Sequence, residues 1–485
     1  MAELVVASNR GPVQFEVDDD GNLTAGRGAG GMVAALGPAL AGRAGTWVAA
    51  AITEGDRVAA RRVVRSGRLR TVELAQGAVR LRSLVFDPRE YQSYYNRVAN
   101  RTLWFLHHYL FDVPRHPRFD RGFRVAWQHY EGVNQAFAAA CDDEADRGAE
   151  VFVQDYHLAL VPAMLRRRRP DLRVAHFTHC PWADPGYFLT LPGRAAGAIL
   201  EGMLGADLLG FLVPRWARNF LHCCLEAGYR VDFEQSTVRA GDGRTVLVRT
   251  YPLGVDGEAL RERAAQADAR AQDRVVADLA RGRSLIVRVD RMELSKNILR
   301  GLEGYATFLE RNPRARGRVV HYALTYPSRR DLPEYQAYTA EVKHLAESIN
   351  ERFRTRTWAP VVLELRDNYP RALAAMAAAD VLIVNPVWDG MNLVAKEGPS
   401  VSRRDLALIL SRNAGAADDL GPGALLVNPF DTAELAETIA AALELSPDER
   451  AKRAALLREG ATALPPQHWF AVQREQLASP AQTPG

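Results

Sequence analysis

Directly after the apolar run DVLIVNP (380–386) the chain places an acid, a glycine and an amide, then a lysine and a second acid: WDGMNLVAKEG, residues 388–398. In that loop Asp389 can accept hydrogen bonds from hydroxyls. The backbone amides from Gly390 through Met391, Asn392 and Leu393 to Val394 can face an anion or a sugar. Glu397, one turn into the helix that follows, can hold a diol such as that of ribose. Lys396, its neighbour on that helix, must point elsewhere. The plainer account is structural: Asn392 or Asp389 caps a helix and Gly390 lets the chain turn.

Further loops follow apolar runs in the same way. VDRMELSKN ends the run SLIVRVD (284–290) with Arg291 and sets Lys296 five residues on, where a helix begins. Two cations at a helix N-terminus suit a pyrophosphate, since unpaired amides and the helix dipole add to their charge. TYPSRRD offers Arg329 and Arg330, which adjacency turns different ways. SNRGPV puts Asn9 and Arg10 after the run ELVVA (3–7). DYH and THCPW end two more runs with Asp155 and His179, a carboxylate for sugar hydroxyls and an imidazole able to donate to one. Exposed cations and a structural histidine are the plain alternatives. Taken with the 388–398 loop, these residues describe a nucleotide-sugar site. GRGAGG at 26–31 also matches G-x-G-x-x-G, which brings in a nicotinamide enzyme. The polar stretch FEVDDDGNLTA separates those glycines from the first strand and argues against a tight strand-turn-helix grip. A loop that closes over a phosphate or sugar through Gly30 and Gly31 fits the spacing better, with an ordinary surface loop as the plain reading.

Such loops need strands behind them and helices ahead. EVFVQD (150–155), HLALVPAMLRRRR and RVAHFTH (173–179) read as strand, helix, strand. SLIVRVD, RVVHYALTYP, ADVLIVNP, LALILS and ALLVNP read as strands; NILRGLEGYATFLERN, a charged stretch from about 332 to 352, and DTAELAETIAAALEL read as helices. This alternation predicts parallel sheets covered on both faces, with ligands beyond the carboxyl ends of the strands. A chain of 485 residues exceeds one ordinary core. The composition shifts within 251–274, which divides the chain into 1–253 and 254–464, with 465–485 as an amphipathic helix and short tail.

Lys plus Arg (62) against Asp plus Glu (58) leaves a formal charge of +4, too small to mark a nucleic acid or an anionic membrane as partner. The run RRRR at 166–169 ends a helix before Pro170 and reads as a solvated cap. Cys141, Cys180, Cys223 and Cys224 show no CxxC spacing, which predicts a reduced compartment without structural zinc. No basic leader precedes the first strand, and no apolar segment approaches the roughly 18 residues of a membrane span, so the expected location is the cytoplasm. Neither a carboxylate pair at glycosidase spacing nor a metal-ligand cluster is identifiable, and no cofactor is called for. A homo-oligomer stays open, because the sequence does not locate an apolar interface.

Together these motifs resemble the retaining glycosyltransferases of family 20, among them the trehalose-6-phosphate synthases. WDGMNLVAKE is the most specific match; RMELSKN, DYHL, YYNRVANRTLW (94–104) and the VNP-D of 427–431 occur in the family's order. The resemblance implies an α/β GT-B fold: two facing Rossmann-like domains with parallel sheets and a cleft between them, the C-terminal helix returning to the first. It implies transfer of glucose, with retention, from a nucleoside-diphosphate glucose to glucose 6-phosphate, giving α,α-trehalose 6-phosphate. By position, Arg291 and Lys296 match the residues on the donor pyrophosphate, and Leu393 to Glu397 match the donor-binding helix start, with Glu397 on the ribose. Asp389 matches the residue on the donor glucose, Gly30 and Gly31 the loop closing over the donor, and His179 a residue near the donor sugar. Arg10, Tyr95, Trp104, Asp155 and Arg329 match the acceptor site, the two arginines with Tyr95 on the 6-phosphate. The chain departs where the family often shows GWSG: TWVAAAITEGD keeps Trp47 and follows it with alanines. In LRDNYPR, Asp367 or Asn368 can accept from the guanine N1–H and amine, which uracil lacks, and this favours GDP-glucose over UDP-glucose. The alternatives are a pseudoglycosyltransferase of the same family that makes an amine-linked product, a nucleotide-sugar-binding regulator without turnover, and the nicotinamide enzyme.

Overall fold

The computed structural model describes residues 2–18, 20–27, 36, 45–66, 69–74 and 77–479, so Gly30 and Gly31 lie outside the described residues. The chain separates into two units, residues 1–252 with 466–485 and residues 253–465.

In the first unit, ten strands form one sheet: β1 (Ala2–Ser8), β4 (Gly45–Ala50), β5 (Arg70–Leu74), β6 (Gly77–Leu84), β7 (Ala145–Gln154), β8 (Arg173–Thr178), β9 (Leu208–Phe211), β10 (Arg230–Asp232), β11 (Thr237–Arg239) and β12 (Thr245–Thr250). A hairpin of β2 (Val13–Val17) and β3 (Leu23–Arg27) stands apart from it. The sheet order is β10-β11-β12-β9-β8-β7-β1-β4-β6-β5. The seven inner strands, from β12 to β6, pair in parallel, and antiparallel neighbours close both edges. Buried residues on both faces of β1 and β7 explain why these runs read as continuously apolar rather than alternating. The strand order turns back between β1 and β7, the place where a crevice opens at the carboxyl ends.

The second unit carries six parallel strands: β13 (Ser284–Met292), β14 (Val319–Pro327), β15 (Val361–Glu364), β16 (Val381–Val384), β17 (Ala407–Ser411) and β18 (Leu425–Val427). Their order is β15-β14-β13-β16-β17-β18, the doubly wound arrangement, with its reversal between β13 and β16. The Ile298–Arg311 helix buries Ile298, Gly301, Leu302, Tyr305, Phe308 and Leu309, the three-and-four spacing of one helical face.

The Pro466–Ala478 helix belongs with the first unit. Trp469 is fully buried, its Nε1 donates to the Tyr251 carbonyl at 2.9 Å, and Phe470 packs on Phe152. The arginines of 166–169 are not simply solvated. Arg166 pairs with Asp207 at 2.6 Å, Arg168 with Asp142 at 2.9 Å and Arg169 with Asp171 at 2.8 Å, tying the helix end to its neighbours. All four cysteines are buried free thiols. Among the described residues no helix is long and apolar enough to cross a membrane.

Candidate active site

At the carboxyl end of β13, charge enters the core. Arg288 and Asp290, two apart on a strand, point the same way. Arg288 is fully buried; its Nη1 donates to Asp290 Oδ2 at 3.0 Å and to the Lys296 carbonyl at 2.9 Å. A Cβ on Gly301 would come within 2.8 Å of Arg288 Nη2, so a larger residue there would have to displace the guanidinium. After a single 3-10 turn, Asn297 takes left-handed backbone (φ +58°), which asparagine tolerates better than most residues. Its Nδ2 donates to the carbonyls of Asn385 and Pro429. This tie carries Lys296 back over the strand end, Nζ 2.7 Å from Asp389 Oδ2 and 3.9 Å from Asp290 Oδ1. Burial opposes the charge on Lys296, but Asp389 and Asp290 outweigh it and leave the pKa above the ordinary lysine value. Burial pushes Asp290 up to about 6 despite Arg288 and Lys296.

The 388–398 loop meets this cluster from β16. Asn392 Nδ2 donates to Asp389 Oδ2 at 3.0 Å, and the Asp389 carbonyl accepts from the Gly415 amide at 3.1 Å. A Cβ on Gly415 would sit 1.9 Å from the Gly390 oxygen, which makes that glycine obligatory for the loop's path. Met391 is buried and its carbonyl accepts from the Ala416 amide. Asn392, at φ +77°, turns the chain so that Leu393 opens the Val394–Val401 helix with Glu397 in its first turn. Burial alone raises Glu397 to about 7. Lys396 points away, donating to the Leu253 carbonyl at 2.9 Å and to Asp419 at 2.5 Å. Beyond β14, Arg329 (φ +45°) lies 2.7 Å from the Glu293 carboxylate, as Arg291 does. Burial would raise Glu293, yet Arg291 and Arg329 hold it down at about 2.

In the first unit a second cluster forms at the reversal between β1 and β7. Asn9 is buried, and its Oδ1 accepts from the Tyr91 and Tyr94 hydroxyls at 3.1 and 3.0 Å. Arg10 Nη2 reaches the Tyr95 hydroxyl at 3.2 Å, Tyr95 stacks on His157, and His157 Nδ1 is 3.8 Å from Asp155 Oδ2. Tyr94 and Tyr95 ride on the π-helical stretch Ser93–Leu103, where the Trp104 amide reaches back five residues to the Ala99 carbonyl. Trp104 stacks on His108 and tilts against Tyr156. Asp155, at φ +71° and ψ 165°, occupies backbone space that belongs almost entirely to glycine, at a cost of about 1–3 kcal/mol. The strained turn lets its Oδ1 accept from the His179 amide at 3.1 Å. The His179 ring engages Gln154 Oε1 at 2.9 Å, and burial, with nearby His176, lowers it to about 3, so the imidazole is neutral.

Comparison with known proteins bears on what these clusters are. The family model for glycosyltransferase family 20 matches residues 2–479. This chain belongs to glycosyltransferase family 20. It is 35% identical over 495 residues to the trehalose-6-phosphate synthase of Mycobacterium avium (strain 104), with 98% of this chain and 95% of that protein covered. Among solved structures, an E. coli one bound with UDP-2-fluoro glucose is 27% identical at a TM-score of 0.84, covering 98% of each chain. The UDP-forming α,α-trehalose-phosphate synthase of Burkholderia xenovorans, in complex with glucose-6-phosphate, is 27% identical at a TM-score of 0.82, covering 98% of this chain and all of that one. The fold is accordingly the α/β GT-B fold of this family, built on two Rossmann-type parallel sheets.

Within this family 20 glycosyltransferase, Arg291, Lys296, Asp389, Asn392 and Glu397 gather at one strand reversal, and Arg10, Tyr95 and Asp155 at the other. Several expectations change. The Ile298 amide, the first of the helix after Lys296, donates to the Tyr338 hydroxyl at 2.7 Å and is not open to a pyrophosphate. Asn368 spends its Oδ1 capping the Tyr369–Ala378 helix, accepting from the Arg371 amide at 3.1 Å, while Asp367 is exposed. Trp47 is a core residue, fully buried with Nε1 on Ser8 Oγ. The G-x-G-x-x-G match begins in β3, which pairs antiparallel with β2 apart from the parallel sheet, and residues 28–31 of the match lie outside the described residues; the nicotinamide reading gives way to the family match. The sequence reading missed Glu293, Asp290, Asn297 and Tyr91. An available signal for Glu293 was its R-x-E spacing from Arg291, which puts both side chains on one side of extended backbone.

Proposed function

We propose that this glycosyltransferase moves glucose from a nucleoside-diphosphate glucose to the anomeric hydroxyl of glucose 6-phosphate, releasing the nucleoside diphosphate and forming α,α-trehalose 6-phosphate. The observation that carries the reading is the meeting of Lys296 with Asp389 at 2.7 Å, with Arg291 beside them and Glu397 one helical turn on. A charged lysine next to a carboxylate offers a phosphate-binding cation and a sugar-binding acid at one spot, the needs of a sugar diphosphate. In this reading the second unit takes the donor: Arg291 and Lys296 on the pyrophosphate, Asp389 and the 390–394 amides on the glucose, Glu397 on the ribose. The first unit takes the acceptor: Asp155 binds hydroxyls, Trp104 shapes the pocket, and Arg10 with Tyr95 binds the 6-phosphate, to which Arg329 also contributes. His179, held neutral, lies near the donor sugar as a hydrogen-bonding group.

The chemistry is a front-face substitution with retention. The bond from the anomeric carbon to the diphosphate oxygen breaks while the acceptor oxygen bonds on the same face, and the departing phosphate oxygen takes the acceptor's proton. Arg291 and Lys296 stabilise the charge that grows on the leaving group. Exposed Asp367 is the acceptor for a guanine edge, which favours GDP-glucose; the UDP ligand and UDP-forming activity of the two solved relatives make the base the point to test.

Released diphosphate, assayed with glucose 6-phosphate and each donor in turn, tests the reading. Turnover is expected with both donors and a higher kcat/KM with GDP-glucose; equal efficiency or a UDP-glucose preference overturns the guanine assignment. Lys296→Ala should lower kcat by about 10²–10³. An unchanged kcat would remove Lys296 from the leaving-group role.

A further inference from the structure

We infer that Glu293 is a positioning residue that holds the arginines of both substrates' phosphates, so that one buried carboxylate orders the anion-binding groups for donor and acceptor alike. The inference rests on the proposed roles of Arg291 and Arg329. The Glu293 side chain is 0% exposed, and its Oε1 lies 2.7 Å from Arg291 Nη1 and 2.7 Å from Arg329 Nη1. The Ser328 hydroxyl donates to the same oxygen at 2.9 Å. The two guanidinium nitrogens are therefore no farther apart than twice the Glu293 distance, close enough to repel one another strongly without a counter-ion.

An acid at the heart of a phosphate site weakens anion binding by its own charge, so its contribution must run through the cations it orders. Arg329 is 9% exposed and Arg291 38% exposed. Without the carboxylate, the first becomes a buried cation that has lost a counter-ion at 2.7 Å, and the second loses the contact that draws it toward the first. Arg329 is further placed by its left-handed backbone and by the Tyr335 hydroxyl at 3.1 Å from Nη1. Glu293 links that fixed arginine to Arg291 across the β13–β14 strand pair, where Arg291 lies in register with Tyr326.

The test compares four variants by steady-state kinetics and thermal melting. Arg291→Ala should raise the donor KM and Arg329→Ala the KM for glucose 6-phosphate. Glu293→Gln, which keeps the shape and removes the charge, should raise both, by about tenfold each, and lower kcat through Arg291, whose assigned role includes the leaving group. Ser328→Ala, which loosens the carboxylate without discharging it, should raise both by about twofold and decides by the same criterion if the Gln variant does not fold. If the arginine variants separate the substrates but the Glu293 and Ser328 variants move one KM or neither, the inference fails alone. If the arginine variants do not separate them, the assigned roles of Arg291 and Arg329 fail and the inference falls with them.

Discussion

Glu397 and Lys296 respond to burial in opposite ways, and the difference is their company. Lys296 has two carboxylates near its ammonium and keeps its charge, whereas burial acts on Glu397 unopposed and lifts it to about 7. Ionised, a carboxyl can accept from a ribose hydroxyl at each oxygen, whereas protonation turns one oxygen into a donor, so nucleotide binding favours the deprotonated form. The sign follows: affinity for the nucleoside diphosphate should be steady above pH 7 and weaken below it, by up to tenfold per unit. Titration of the diphosphate at pH 6, 7 and 8 checks this, with Glu397→Gln as the reference that carries the ligand's own ionisation. A wild-type profile no steeper than that of the Gln variant would remove Glu397 from the ribose. Asp155 shows the other cost of a working residue: its backbone strain is maintained because the turn aims a carboxylate at the His179 amide.

At the scale of elements, the 388–398 loop is shaped by a residue it does not contain. Gly415 lies against the Gly390 oxygen so closely that Gly415→Ala must push the loop off Lys296. Overpacking of this kind costs about 1–3 kcal/mol, and the displaced Asp389 should raise the donor KM by roughly tenfold with little change in the acceptor KM. Melting curves and donor titration measure both, and a variant with unchanged donor KM would show that the loop tolerates the shift. The sequence made the candidate loops legible because apolar runs ending in polar residues mark strand ends whatever the strand order. It did not show which strand ends share a crevice: the β1–β7 and β13–β16 reversals join residues more than 90 positions apart. Glu293 escaped notice for the same reason, since Arg329, which explains it, arrives on another strand. The π-helical stretch before Trp104 was equally hidden, because polar Asn100 and Thr102 are among its buried residues and obscure the spacing in so short a segment.

At the scale of the molecule, the alternation of strand and helix was legible as two parallel sheets, but the antiparallel strands at both edges of the first sheet were not. Those strands, β5, β10 and β11, are short and polar, with few apolar positions to betray them. The Pro466–Ala478 helix was readable as amphipathic from Trp469, Phe470 and Leu477. Trp469→Ala removes a fully buried indole that packs edge-on against Phe177 and bonds the Tyr251 carbonyl. It should cost about 3–5 kcal/mol, read by urea unfolding; a loss below about 1 kcal/mol would mean that the helix adds little to this unit. The position of that helix has a consequence for synthesis. All of residues 253–465 leave the ribosome before the segment that completes the first unit. At 5–20 residues per second this interval lasts roughly ten to forty seconds. During it the nascent chain carries Phe152 and Phe177 without their cover, so the second unit is the first able to finish folding and the N-terminal sheet is the client that waits.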